Sequence, residues 1–251
     1  MVPYLKASLL SNIQGVLHGF FTREGGVSQG DFQTLNAALE KGDTLEHVEE
    51  NRRRICDSLG FEVRNLITVR QIHSSKVLVV NQPFSENLPE ADALVTTTPG
   101  LLISVLTADC VPVLLSTSRG DIVAAVHAGW RGAMGGILEA TVQQMKDLGG
   151  QEIMAALGPC IWQDDYEVSQ EFYENLSNEL SFFKPGHRPL HWQFDLPGFV
   201  MKQLSLAGIS QIMPALANTY GDADRFFSFR RKTILGEANF GCSLSGIGIK
   251  N

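Results

Sequence analysis

Leu101-Leu-Ile-Ser-Val-Leu-Thr-Ala-Asp-Cys-Val-Pro-Val-Leu-Leu115 is apolar almost without a break. A strand with one wet face alternates apolar and polar side chains, so a run apolar at both parities predicts strands covered on both faces. Thr107, Asp109 and Cys110 interrupt the run just before Pro112, which splits it into strands over 101–106 and 111–116. An acid inside a buried stretch costs free energy unless it is paired. Asp109 therefore needs a partner, for which a hydrogen bond to a nearby imidazole is one candidate.

Outward from this stretch, a third strand over 122–126 closes on His127 and opens the glycine-rich turn Ala128-Gly-Trp-Arg-Gly132. A helix is predicted from about 132, with Met134, Ile137, Leu138, Thr141, Val142, Met145 and Leu148 on one face and Gly149-Gly150 as its stop. Further strands are expected over 66–70, 76–80 and 153–157, and a half-buried one over 239–249. Helices are expected over 44–59 (capped by Thr44, stopped at Gly60, with Leu45, Val48, Ile55 and Leu59 apolar), over 165–180 and over 197–207. Strands bunch together with helices set apart, which favours an α+β fold. With no repeat or linker, residues 1–251 read as a single domain.

The chain of 251 residues is 44% hydrophobic and 19% charged, with a net charge of −7. This is a globular composition whose acidic balance disfavours sequence-independent binding of nucleic acid. Cys56, Cys110, Cys160 and Cys242 form no C-x-x-C pair and read as reduced thiols. No signal peptide is evident, and no segment reaches the roughly 18 apolar residues of a membrane span. The expected home is the cytoplasm.

Three side chains stand where chemistry could use them. His127 ends one buried strand, Cys110 begins another, and His73 follows Gln71-Ile72 at a turn. Alone, His73 reads as a hydrogen-bonded turn residue and Cys110 as a small core residue. Together, two imidazoles and a thiol are what an open zinc site needs, with the fourth tetrahedral position free for water or substrate. The same pair Cys110–His127 without metal would suit a nucleophilic hydrolase. Copper could also take His₂Cys, but a blue-copper site wants a weak axial Met and nothing directs Met134 there, so zinc is preferred. Gly129, Arg131 and Gly132, at a predicted helix N-terminus, are candidate phosphate contacts. The competing reading is a tight turn in which Trp130 packs and Arg131 is solvated. Arg23, Ser28, Asn36 and Arg230 are further candidates for an anion or a ribose. Cys56 and Cys160 are expected in the core, and His187 and His191 in an exposed loop.

Thr107-Ala-Asp-Cys110-Val-Pro-Val, His127-Ala-Gly-Trp-Arg-Gly132, Gln71-Ile-His73, Gly25-Gly-Val-Ser28 and Tyr166-Glu-Val168 resemble the YfiH/YlmD-type family. That family has been called multicopper polyphenol oxidoreductase (laccase domain) and purine nucleoside phosphorylase. The resemblance runs from about Arg23 to Arg231. It implies a single domain of mixed sheets sandwiched between helical layers, α/β/β/α, and zinc held by His73, Cys110 and His127. It implies phosphorolysis of adenosine, inosine, guanosine and S-methyl-5′-thioadenosine, and hydrolytic deamination of adenosine. Cys110, His127, Asp109 and Arg131 are then the catalytic candidates, with Asp109 considered for proton transfer. Nucleoside and phosphate are the partners, without nucleic acid or membrane. Some members are described instead as amidases that edit peptidoglycan precursors. The chain departs from the family's pattern at Asn218-Thr219, where Cys-Thr is usual, and at Gly236-Glu237, where Gly-Arg is usual.

Overall fold

Leu102–Thr107 and Val111–Thr117 are both strands, and they belong to different sheets. The computed structural model describes residues 1–84, 87–176 and 178–251. One sheet runs in the order Tyr4–Leu5, Val16–Phe21, Ser243–Ile249, Leu102–Thr107, Leu66–Ile67. It is antiparallel except where Leu66–Ile67 joins it. The second runs Gln211–Met213, Ile153–Leu157, Val111–Thr117, Val123–Ala128, Ala93–Thr96, Val77–Val79, with parallel pairs at its two edges. A small antiparallel sheet of Glu167–Ser169, His191–Phe194 and Phe183–Pro185 lies apart.

The two large sheets stack face to face. Phe20, Ile103, Val105 and Ile247 of the first meet Leu94, Leu114, Val123, Ala125 and Ala156 of the second. The alternate residues point the other way. Leu102 and Leu244 pack on Ile55, Cys56 and Leu59 of helix Leu45–Leu59. Val113, Leu115, Ala124 and Val126 pack on helices Ile137–Asp147 and Leu196–Leu206. Each fully buried Leu, Ile or Val contributes about 1.5–3 kcal/mol. The result is an α+β fold with helix, sheet, sheet and helix layers. Among the described residues, no helix is long and apolar enough to cross a membrane.

The differences from the sequence reading have local causes. The strand expected over 239–249 is Ser243–Ile249 and is buried throughout, because it is central in its sheet and covered on both faces. Val16–Phe21 and Ala93–Thr96 escaped notice: His18 and Gly19 blunt the first pattern, and the second is very short. The helix expected from about 132 is two helices, Trp130–Met134 and Ile137–Asp147, parted at Gly136, whose φ of 85° only glycine adopts freely. Met134, ahead of the break, and Leu148, the C-cap of the second helix, are exposed. The helix expected over 165–180 becomes a 3₁₀ turn, the strand Glu167–Ser169 and the helix Gln170–Asn175, because Val168 pairs with Trp192. Residue 177 lies outside the described residues. Leu45 is exposed, and His191 opens a strand where a loop was expected. The helix expected over 197–207 is Leu196–Leu206, capped by Asp195, whose Oδ1 accepts from Gly198 N–H at 2.9 Å.

Candidate functional site

The link between the two sheets carries the site. Asp109 adopts φ 88°, an unusual conformation for a residue with a side chain. It turns the chain out of the first sheet and into the second, leaving Cys110 at the start of Val111–Thr117. Antiparallel pairing sets Pro112 opposite His127, so Cys110 and His127 meet at the same sheet end. His73, also at positive φ (59°), reaches in from the loop before Val77–Val79.

The ligand-capable atoms of His73, Cys110 and His127 all lie within 4.8 Å of one another, with His73 Nε2 3.9 Å from Cys110 Sγ. The two imidazole rings stand edge to face, centroids 4.7 Å apart. Zinc with N and S ligands at about 2.0–2.3 Å in a tetrahedron needs donor atoms spaced by about 3.4–3.8 Å. The three residues fit such an ion with only small side-chain adjustment, and the thiolate–imidazole set suits it chemically. Gly129 makes the approach possible: a Cβ there would lie 2.8 Å from His73 Cδ2 and 3.0 Å from Cys110 Sγ.

Burial opposes ionisation of Cys110, but His127 and His73 outweigh it and bring the thiol down to about 6. Burial likewise opposes charge on His127, yet Cys110 and Asp92 raise it to about 9. The thiol is thus held as a ready metal-binding thiolate.

The organiser of the site is Asp92, which the sequence reading did not single out. It is fully buried at the head of Ala93–Thr96. Its Oδ1 accepts from His127 Nδ1 at 2.8 Å and from the His73 backbone N–H at 3.0 Å. Its Oδ2 accepts from the Ser74 N–H at 2.6 Å and the Ser74 hydroxyl at 2.8 Å. Burial pushes this carboxyl up, but the bonds from His127 and Ser74 prevail and hold it at about 2. With Nδ1 so engaged, His127 presents Nε2 to a metal. The signal was available: an acid beside a buried strand needs a partner there as much as at Asp109.

Asp109 does not bond either imidazole. Its carboxylate accepts from Thr219 Oγ1 (2.6 Å), Ser228 Oγ (2.9 Å) and the Arg230 N–H (2.7 Å). It ties two distant loops to the inter-sheet link, while its burial raises its pKa.

Cys110, His127, His73, Asp109, Arg131 and Arg230 line a cleft of about 1260 Å³. Arg131 stacks 4.6 Å over the Trp130 ring, and Arg230 donates to Glu167 O at 2.8 Å. The helix that starts after Gly129 has only five residues, Trp130–Met134, so little aligned dipole faces the cleft. Gly132 packs 3.1 Å (as its would-be Cβ) from Ser74 O and lies outside the lining residues. So do Arg23, Ser28 and Asn36. Arg23 donates to Gln33 O and Ala223 O. Ser28 and Asn36 form an internal network with Asp43 and Asn51. His187, expected in an exposed loop, is exposed and borders the cleft, as does Arg52. Cys56 and Cys160 are buried. Asn218 takes up its departure from the family pattern by donating to Asp165 Oδ2 at 2.6 Å. Glu237 is exposed.

Residues 17–250 match the family described as multi-copper polyphenol oxidoreductase laccase. The chain is 36% identical to the Escherichia coli protein named purine nucleoside phosphorylase YfiH, over 89% of this chain and 91% of that one. It is 40% identical to a Deinococcus radiodurans protein named purine nucleoside phosphorylase, over 92% of this chain and 88% of that one. Among solved structures, YlmD from Geobacillus stearothermophilus superposes with a TM-score of 0.88 at 29% identity, covering 99% of this chain and 96% of that one. A Neisseria meningitidis protein gives 0.87 at 32% identity, covering 99% of both chains. Matched over nearly its whole length, and with His73, Cys110 and His127 gathered at one cleft, the chain belongs to the multi-copper polyphenol oxidoreductase laccase family that includes YfiH.

Proposed function

We propose that this protein is a zinc-holding purine nucleoside phosphorylase whose cleft takes a nucleoside and orthophosphate. The observation that carries the reading is the His73–Cys110–His127 group on the wall of a cleft large enough for both substrates. The names of the E. coli and D. radiodurans relatives support the reaction. Zinc, held by His73, Cys110 and His127, supplies a Lewis acid at that wall.

In phosphorolysis a phosphate oxygen bonds to C1′ as the C1′–N9 bond breaks, and the electron pair leaves on the base. The proton carried in on hydrogen phosphate ends on the purine, so the reaction balances without a redox partner. Arg131 and Arg230, which line the cleft, would hold the anion against C1′. Asp109 acts at one remove, fixing the Ser228–Arg230 segment beside Cys110. Adenosine, inosine, guanosine and S-methyl-5′-thioadenosine share the purine and ribose that this cleft would grip. Hydrolytic deamination of adenosine belongs to the same reading.

The test uses protein purified without added metal. Elemental analysis is expected to return zinc rather than copper, and inosine with phosphate to give hypoxanthine and ribose 1-phosphate in equal amounts. Inosine formed from adenosine without phosphate measures the deamination. Cys110→Ala is expected to lose both metal and turnover; full phosphorolysis by a metal-free Cys110→Ala protein would overturn the proposal. A blue-copper site usually takes a weak axial Met, and Met134, 39% exposed, does not line the cleft.

A further inference from the structure

Gln193 is the anomaly of the cleft. It lines the cavity, is only 2% exposed, and neither its Nε2 nor its Oε1 has a hydrogen-bond partner. Buried polar side-chain atoms are nearly always paired, and each exception asks for an explanation. The neighbouring groups are already committed. Its register partners are Glu167 and Lys184. Glu167 accepts from the backbone N–H groups of His187 and Arg188 and from Arg188 Nε, and Lys184 pairs with Asp164. The backbone carbonyl of Gln193 is itself used, accepting from Gln163 Nε2. An apolar residue would fill this position at lower cost to the fold.

A carboxamide offers one strong donor and one acceptor side by side. Few ligand features match that pair as well as the N1–C6 edge of a purine. In hypoxanthine or guanine the edge presents N1–H and O6; in adenine it presents N1 and the 6-amino group. A half-turn of the amide plane exchanges donor for acceptor, so one glutamine serves both kinds of base.

We infer that Gln193 is a specificity-determining residue of the cleft, hydrogen-bonding the N1–C6 edge of 6-oxo and 6-amino purines alike. This rests on the purine nucleoside reading above. Since neither amide atom reaches solvent, side-chain torsions of Gln193 turn the amide toward the base on binding. Tyr166 lines the same cleft, with the Arg230 guanidinium 5.4 Å from its ring.

Steady-state phosphorolysis by the zinc-loaded wild type, Gln193→Leu and Gln193→Met tests it. The substrates are inosine, adenosine and purine riboside, which lacks the C6 group. The variants are expected to raise KM for inosine and adenosine by about tenfold or more, because the edge loses its partners. Purine riboside should change much less, and zinc content and the KM for phosphate should stay within about twofold. Two variants are used so that one poorly folded protein does not decide the matter, and thermal melting checks both. Unchanged kinetics in a folded variant would overturn the inference, and so would an equal loss on all three nucleosides. A wild type that turns over no nucleoside would instead defeat the phosphorylase reading, and this inference with it.

Discussion

Asp92 Oδ1 accepts from His127 Nδ1 at 2.8 Å, and the same oxygen takes the backbone N–H of His73. One buried carboxylate thus sets the orientation of one imidazole and the loop position of the other. Two ligands that sequence separates widely share a single anchor. Carboxylates so placed orient the ligand imidazole and raise its basicity.

Replacing Asp92 with Asn keeps the shape but weakens the hold on both histidines. Zinc affinity, measured by competition with a chromophoric chelator, is expected to fall by about 10–100-fold. Asp92→Ala should fall further, since it also strands the Ser74 N–H and hydroxyl. Wild-type affinity in either variant would remove Asp92 from the account.

Gly129→Ala isolates crowding. Gly129 has φ −73° and ψ 164°, which alanine adopts without strain, so the backbone should tolerate the change. The new methyl, however, would press on His73 and Cys110. Zinc binding is expected to drop at least as much as in Asp92→Asn while the melting temperature moves little. A large loss of stability with unchanged zinc affinity would show that the crowding is relieved elsewhere.

Metal uptake should release protons, and the direction follows from the two shifts. His127 is raised to about 9 and Cys110 lowered to about 6. Ligation needs neutral His127 and ionised Cys110. Below about 9 His127 must give up a proton, so its contribution makes affinity rise with pH, by up to about tenfold per unit, and flatten above 9. Below 6 the thiol adds a second proton and the slope steepens. Calorimetry in buffers of different ionisation enthalpy counts the protons; none released at pH 7 would contradict the thiolate–imidazolium pair.

His18 predicts acid sensitivity remote from the cleft. Burial, and then Lys6, lower it to about 4, while its Nε2 accepts the Ala7 N–H at 2.9 Å. The unfolded chain, near 6.5, binds the proton more readily. Above pH 6.5 the two states are equally deprotonated and nothing is lost. As pH falls from 6.5 toward 4, stability should drop by up to about 1.4 kcal/mol per pH unit. The amide oxygen introduced by His18→Gln could still accept from Ala7 but does not titrate. The wild type should therefore lose more stability than His18→Gln in urea melts between pH 7 and 4.5. Parallel losses in both would assign the effect to other groups.

The layers of the fold were readable in the run from Leu101 to Leu115, because side-chain burial on two faces leaves a signature in consecutive residues. The start of Ile137–Asp147 and the region around Val168 were not, since a left-handed glycine and a cross-strand partner override local periodicity. Cys110 and His127 stood out as polar side chains at strand ends. Asp92 did not, because its importance lies in what it touches.

The order of residues by itself determined the nearly unbroken apolar run that buries strands on both faces, the strand ends that carry Cys110 and His127, and the acid at position 109 that had to find partners. Tertiary structure alone decided that the acid's partners are Thr219, Ser228 and Arg230, that Asp92 holds the two histidines, and that the Gln193 side-chain amide is left without a partner. Periodicity records how each residue relates to its chain neighbours. Hydrogen bonds across tens of residues depend on the register of strands and the stacking of sheets, which form only when the whole chain has closed on itself.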